Sequence, residues 1–488
     1  MLAADIDASG TVNWYGGKGF KPLGTGTKSP FKGVFDGKYH LVTGLTINRP
    51  MEDTVGLFGT IDVGSSVSQI GLVDVNIHGG ANTGALAGTN YETVSASFAT
   101  GSVSGAGAGG LVGDNHGRIN TSYSSAQVAA SDIGGGLVKR NSGSIANSYA
   151  LGPVTGGTVG GLGGTNVGTV VRAYASGAVA GTSKQGGLLG ANTGTLINVF
   201  WDTGSTGRTA ATGDGDSTGA VGLASTDART SSNYSGFDFS DTWYQAGDMR
   251  PILRSEAAAA VNGVVAISNL HQLQLMATNL SATYRLSRDI DATETAASAD
   301  PAGPWADGGF VPVGTAEAAF TGTLDGNSHV VSGLTVKTSA SNAGLFGMVS
   351  GTVRNVGLTG GSFTGSSHVG SLAGSLSGTI DHSYATGNVS VTADDGEGAV
   401  SSGTVRERFQ PPTPPAVSAA GPARAVSSAG PSERSPILTQ KARSPRRFML
   451  VAWSATTPPR SPAPTPSVPR RPHPLIRSRQ LHTAAPAD

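Results

Sequence analysis

The stretch GGLVGDN, residues 109–115, decides the fold, because close variants of it return every 25 or 26 residues. A leucine, an asparagine and an aromatic residue keep the same spacing through these units. The leucines are Leu86, Leu111, Leu137, Leu162 and Leu188, the asparagines are Asn90, Asn115, Asn141, Asn166 and Asn192, and the aromatic residues are Phe98, Tyr123, Tyr149, Tyr174 and Phe200. Three residue classes in one register at this interval are typical of a solenoid.

Each unit contains short apolar runs separated by Gly, Ser, Thr and Asn, which predicts strands and turns rather than helices. One unit cannot bury its own apolar side, but stacked units pair backbone to backbone at about 4.8 Å. We therefore predict an all-β protein, a parallel β-helix with about six coils between Val55 and Phe200, roughly 30 Å long. The residues do not determine the handedness of the coil, for which right-handed crossovers are the default.

The composition fits this fold. Glycine accounts for 74 of 488 residues, which suits tight corners, and cysteine is absent, which excludes disulfides and thiolate metal sites. No run is long and apolar enough to span a membrane, and Met1 to Asp5 lacks the charged and apolar parts of a signal peptide.

A longer repeat divides the chain into two tandem modules. Residues 5–8 match 289–292, residues 19–25 match 309–315, and residues 56–59 match 344–347. We predict a first module at 1–254, with coils at about 55–200 and a module end at 201–254, and a second module at 255–400, with a cap at 262–292, a hairpin region at 305–336 and coils from about 344. Ser268-Asn269 before an apolar stretch predicts a short capping helix at about 269–280. The first module lacks such a cap, so we expect the chain to be part of a larger protein.

The last part of the chain has a different composition. Most of the 25 prolines and many of the basic residues lie in 401–488, which by itself predicts a disordered tail. The codons of residues 446–457, read in a shifted frame, permit a peptide that ends in the sequence of residues 108–115. We therefore interpret 401–488 as out-of-frame translation and take no nucleic-acid partner from its arginines.

The unit at Gly135 to Val154, GGLVxxNxGxIxxSYAxGxV, resembles the GLUG-motif repeats of large bacterial surface proteins of the filamentous-haemagglutinin type. The resemblance extends over nearly all of residues 1–400. It implies an exported adhesin, at the cell surface or outside the cell, of a Gram-negative bacterium. Some proteins with these repeats are immunoglobulin-cleaving metalloproteases, but no histidine in this chain is followed by the glutamate that a zinc-binding HExxH helix requires.

The repeated polar and aromatic positions have structural and functional interpretations. The asparagines could form a binding stripe, but we expect them to accept left-handed backbone at a corner and to pass amide hydrogen bonds between coils. The rings could form a carbohydrate platform, although stacked rings are more often packing. His40 and His329 share an Asp-Gly-x-x-His pattern that lacks further metal ligands. Asp214 and Asp216 are weak calcium candidates, because a closing glutamate is missing.

We expect no enzyme activity and no cofactor, since charged residues in the repeats fall at different coil positions, so few of them can converge on one site. The favoured function is a spacer and display surface of an adhesin that binds a host-cell or biofilm glycan or protein. The alternative is a carbohydrate-active β-helix enzyme or a polysaccharide-binding module. Binding is expected at outward residues that vary between coils, namely His116, Arg118, Lys139, Arg140, Arg172 and Lys184.

Overall fold

A computed structural model describes residues 1–25, 29–296, 301–305 and 308–392. The fold is nearly all β, a β-solenoid of about 13 turns, as the period predicts. The predicted disordered tail and the proposed frameshift at 401–488 lie outside the described residues. In the described part no helix is long and apolar enough to cross a membrane.

The first module has one face formed by the strands that carry the asparagines. This six-stranded parallel sheet consists of Phe58–Ile61, Ala87–Asn90, Val112–Asn115, Val138–Asn141, Gly163–Asn166 and Leu189–Asn192. The register places Asn90 beside Asn115 and Asn115 beside Asn141. Equal positions therefore stack directly above one another.

The next face follows a corner of the coil. Its strands are Val34–Asp36, Ser66–Ser68, Thr93–Ser95 and Arg118–Asn120, continued by the long strands Ser144–Ala150, Thr169–Ala175 and Thr195–Asp202 that bend into the third face. Valine, isoleucine and leucine at the middle position, such as Val94 and Ile119, point into the coil and are fully buried. A strand with one face in the core buries alternate side chains, and the buried middle position fits this pattern.

The third face carries the aromatic residues and completes each turn. Its strands are Ile6–Asp7, Leu41–Thr43, Thr46–Asn48, Thr54–Val55, Gly71–His78, Asn82–Gly84, Phe98–Gly109, Tyr123–Ser124, Gln127–Gly135, Val154–Gly156, Thr158–Gly160, Val179–Gly181, Gln185–Gly186 and Ala220–Leu223. Trp201 is buried at the far end of the solenoid, where the short helix Thr203–Thr206 follows it.

The second module repeats this plan over fewer turns. Its strands are Val264–Ile267, Thr283–Leu286, Ile290–Asp291, Thr323–Asp325, Val330–Ser332, Thr335–Lys337, Phe346–Val349, Thr352–Arg354, Gly357–Thr359, Ser362–Gly365, Ala373–Leu376, Thr379–Asp381, Tyr384–Ala385 and Asn388–Val391. The capping helix is Leu270–Leu275, extended by a 3-10 turn at Met276–Thr278. The Asn269 side chain accepts a hydrogen bond from the Gln272 amide and caps the helix.

The predicted hairpin region at 305–336 contains a corner instead of a hairpin. Strand Thr323–Asp325 pairs with Thr283–Leu286, whereas Val330–Ser332 pairs with Ile290–Asp291, so the two strands belong to different parallel sheets. The Asn327 amide donates to the Asp325 carboxylate, and Asn327 and Ser328 both have positive φ, which turns the chain without reversing it.

The histidine of the shared Asp-Gly-x-x-His pattern secures this corner in both modules. His40 Nδ1 lies 2.9 Å from Asp5 Oδ1, and His329 Nδ1 lies 3.1 Å from Asp289 Oδ1. Each of these aspartates also accepts the backbone amide that follows the histidine. The pattern therefore fastens one strand to the preceding coil.

Candidate binding surface

The five leucines and the five asparagines line the inside of the first solenoid. All five leucines are fully buried in one apolar cluster. Asn90 Nδ2 donates to Asn115 Oδ1 at 2.8 Å, Asn115 Nδ2 to Asn141 Oδ1 at 2.7 Å, and the chain continues through Asn166 to Asn192. Each asparagine amide therefore donates a hydrogen bond to the next coil, and none of these five buried side chains is left without a hydrogen-bond partner. We name this row of five residues the asparagine ladder.

The left-handed backbone expected at these asparagines lies at another corner. The residues with positive φ stand two places before each ring, namely Ala96, Thr121, Asn147, Arg172 and Asn198, and Gln69 has a positive φ two places before Gly71. The asparagines of the ladder are extended and belong to strands. The amide hydrogen bonds therefore account for their regular spacing, and the sharp turn is made by residues of mixed type.

The five rings point away from the interior of the solenoid and lie in register along its flank, where the first four stack. Tyr123 and Tyr149 have centroids 4.8 Å apart and parallel planes, and Tyr149 and Tyr174 are 5.0 Å apart. They form a second apolar cluster with Tyr234, Trp243 and Leu253 of the module end. The rings from Tyr123 to Phe200 are buried under this segment, so the ring flank is a packing surface.

The second module also contacts the ring flank. The Tyr149 hydroxyl donates to Glu256 Oε1 at 2.7 Å, and the other carboxylate oxygen of Glu256 pairs with His271 Nδ1 on the capping helix. The His271 ring stacks on Tyr123 with centroids 5.2 Å apart. Burial, reinforced by the Glu256 carboxylate, raises the pKa of Tyr149 far above its usual value, so its hydroxyl stays protonated as the donor.

A second buried ion pair fastens the module end. Arg250 and Asp202 form an ion pair with both side chains fully buried. Asp202 also caps the helix Thr203–Thr206, and Arg250 donates to the carbonyl of Gly303 in the second module. Burial opposes ionisation of Asp202, but the Arg250 guanidinium outweighs it and lowers the pKa of Asp202. These contacts join the end of the first module to the segment around Gly303 in the second.

The exposed side of the asparagine corner carries side chains that differ from coil to coil. We name Tyr91, His116, Arg118 and Arg140 the corner patch. Tyr91 and His116 stack with centroids 4.8 Å apart, and Arg118 and Arg140 extend from exposed positions on either side of the corner. Within the described residues, neither guanidinium has a carboxylate partner within ion-pair distance. The patch thus combines rings with available positive charge.

The other outward residues expected to bind have partners of their own. The Lys139 side chain is largely buried between coils and contacts Asn82 Oδ1 at 2.6 Å and Asp114 Oδ1 at 3.2 Å. Arg172 donates to Asn147 on the preceding coil, and Lys184 pairs with Asp214. These three side chains link coils of the solenoid. His116, Arg118 and Arg140 remain in the corner patch from the expected set, and His116 also contacts the Ser142 hydroxyl.

The weak calcium candidates lie at the end of the asparagine ladder. The carbonyl of Asp216 accepts the Asn192 side-chain amide at 2.6 Å, and the carbonyl of Asp214 accepts the Asn192 backbone amide. The Asp216 carboxylate accepts from Thr218, and the Asp214 carboxylate pairs with Lys184. In the described ranges, no three His, Cys, Asp or Glu side chains come together as a metal site.

Sequence reasoning did not find Tyr91, Glu256 or His271. Tyr91 follows Asn90 directly, at the position of His116 in the next unit, and this adjacency of two rings was the available signal. Glu256 and His271 lie outside the repeat, more than a hundred residues from the rings they meet. No local pattern marks such a contact.

The geometry defines a two-module β-solenoid with an exposed, variable corner patch. No protein-family model matches the chain. It is similar to halomucin of Haloquadratum walsbyi, with 28% identity over an alignment that covers 75% of this chain and 6% of halomucin. The chain therefore spans a small part of that relative's length.

A solved structure from Bacteroides ovatus, provisionally described as an immunoglobulin A1 protease, covers 52% of this chain and 85% of its own, with 19% identity and a TM-score of 0.40.

Proposed function

We propose that this chain is part of a secreted or cell-surface adhesin of the GLUG-repeat, filamentous-haemagglutinin-like type. In this proposal the two solenoids are a stiff spacer, and the corner patch binds a glycan or protein of a host cell or biofilm. The similarity to halomucin supports a location outside the cell or at its surface. The chain itself contributes binding and no catalysis.

The observation that carries the proposal is the contrast between the two sides of the asparagine corner. Inside, Asn115 and Asn141 repeat without change because each must bond to the next. Outside, the neighbouring positions His116 and Ser142 differ, although they are in contact through His116 Nδ1 and Ser142 Oγ at 3.0 Å. A constant interior with a variable exterior is how repeat proteins present binding surfaces.

The chemistry of the corner patch suits an anionic or hydroxyl-rich ligand. Arg118 and Arg140 can each donate two hydrogen bonds to a carboxylate or sulfate group, and the partly exposed ring of Tyr91 can contact an apolar sugar face. The buried rings of the flank cannot take this role, because the module end covers Tyr149 and Tyr174. The binding function is therefore assigned to the corner.

A glycan array probed with the full chain, together with an assay for released reducing sugar, tests the proposal. We expect retention of acidic glycans and no increase in reducing ends. Turnover of any polysaccharide would favour the carbohydrate-active enzyme instead, and binding to neither glycans nor host-cell proteins would overturn the adhesin role.

A further inference from the structure

The end of the first module that precedes its coils is an open apolar surface. It encloses a cavity of about 320 Å³, lined by Leu2, Ile6, Trp14, Phe20, Leu45 and Leu57. Ile6 is 44% exposed and Trp14 is 48% exposed. Large apolar side chains exposed together in a concave surface mark an interaction site.

The repeat allows a direct comparison with the second module. Ile6 corresponds to Ile290 in the matched sequence Asp-Ile-Asp-Ala, and Phe20 corresponds to Phe310 in the matched Gly-Phe-x-Pro. Ile290 is 3% exposed and Phe310 is 1% exposed. Ile6 is therefore exposed where Ile290 is covered, and Phe20 is half-buried where Phe310 is fully buried.

The cover in the second module is its own capping helix. Leu273 and Met276 of the helix region are fully buried in the cluster that contains Ile290 and Phe310. The Gln274 side chain accepts the indole N–H of Trp305 at 3.1 Å and the amide of Val311 at 3.0 Å. The helix thus supplies both the apolar lid and a partner for a tryptophan.

A strand edge lies beside the same surface. In the second module, Thr323–Asp325 pairs on one side with Thr283–Leu286 and on the other with Thr352–Arg354. The corresponding strand Val34–Asp36 pairs with Ser66–Ser68, and on its other side the Leu2 amide donates to the Asp36 carbonyl. Val34 is 75% exposed. An unpaired edge of this kind accepts an added strand.

We propose that this end of the first module is a docking face for a strand and helix of the kind formed by residues 264–286. The strand completes the edge at Val34–Asp36, and the helix fills the cavity beside Trp14. Leu2 corresponds to Leu286, which ends the strand of the second module, and this correspondence gives the register of the docked strand.

A graft of residues 262–285 in place of Met1, in the full chain, tests this inference. We expect the graft to raise the Tm by about 4 °C or more and to reduce the fluorescence of a dye that binds exposed apolar surface. Backbone amides of Val34–Asp36 should exchange more slowly with solvent. These readouts are independent of ligand binding at the corner patch.

The matched control carries L273D and M276D within the grafted copy. It has the same length and strand but cannot cover the apolar cavity, so Tm and dye fluorescence should remain those of the parent. A graft that leaves all three readouts unchanged, or a control graft that stabilises as much as the unaltered one, would overturn the inference.

Discussion

Asn141 stands between two other asparagines and bonds to both, accepting from Asn115 at 2.7 Å and donating to Asn166 at 2.7 Å. All three side chains are buried, so solvent cannot replace a lost partner. The position therefore tests whether the ladder stabilises the coils.

Asn141→Ala should lower the free energy of unfolding by about 2 kcal/mol, because it leaves a buried donor on Asn115 and a buried acceptor on Asn166 unsatisfied. Thr165→Ala on the next coil is the matched control, since that side chain is not part of the ladder. Urea denaturation of both variants checks the prediction. Equal stability of the two would show that the ladder is dispensable.

Leu137→Asp should cost more than about 3 kcal/mol, since it places an unpaired carboxylate in the fully buried leucine stack. Ser131→Asp, an exposed position of the same coil, should change stability by no more than about 0.5 kcal/mol. Thermal denaturation followed by circular dichroism compares them. A tolerated Leu137→Asp would contradict the assigned register.

The His271–Glu256 pair should make stability depend on pH. Burial opposes charging of His271, but the Glu256 carboxylate outweighs it, with a further contribution from Glu294, and the pKa of His271 is raised. A raised pKa in the folded state means that the stabilisation is complete below the unfolded value of about 6.5 and is lost as pH rises through the folded pKa.

His271→Asn should therefore destabilise the chain most near about pH 5.5 and progressively less at alkaline pH. The difference in Tm between parent and variant across the pH range isolates this pair, because Asp202 and other carboxylates titrate in both proteins. A difference that grows with rising pH would exclude the charged histidine.

The interior of the first solenoid could be predicted because each coil repeats its neighbours. The residue types of Leu111 and Asn115 recur at a fixed interval, and a fixed interval of this size indicates that equivalent positions stack. The N-cap at Asn269 was also visible, since capping depends on residues within one turn. Interactions that are local or periodic can therefore be predicted from the sequence.

The cover over the ring flank could not be predicted in the same way. Tyr174 donates to the Pro251 carbonyl, and Ser176 donates to the Ala302 carbonyl, through contacts that do not repeat. The six residues of the capping helix are all buried, because the helix lies between the second solenoid and the rings of the first. Such burial depends on how the modules pack.

The adhesin account is tested most directly by adhesion of a chain in which Tyr91, His116, Arg118 and Arg140 are all alanine. A chain with Lys18→Ala and Lys21→Ala is the control, because it loses the same number of positive arginine or lysine charges from exposed positions outside the coils. Both variants should keep the Tm of the parent, as surface substitutions usually change stability by about 0.5 kcal/mol or less. The account predicts that the corner-patch variant loses binding to cells or glycans while the lysine variant retains it; undiminished adhesion by the corner-patch variant would contradict it.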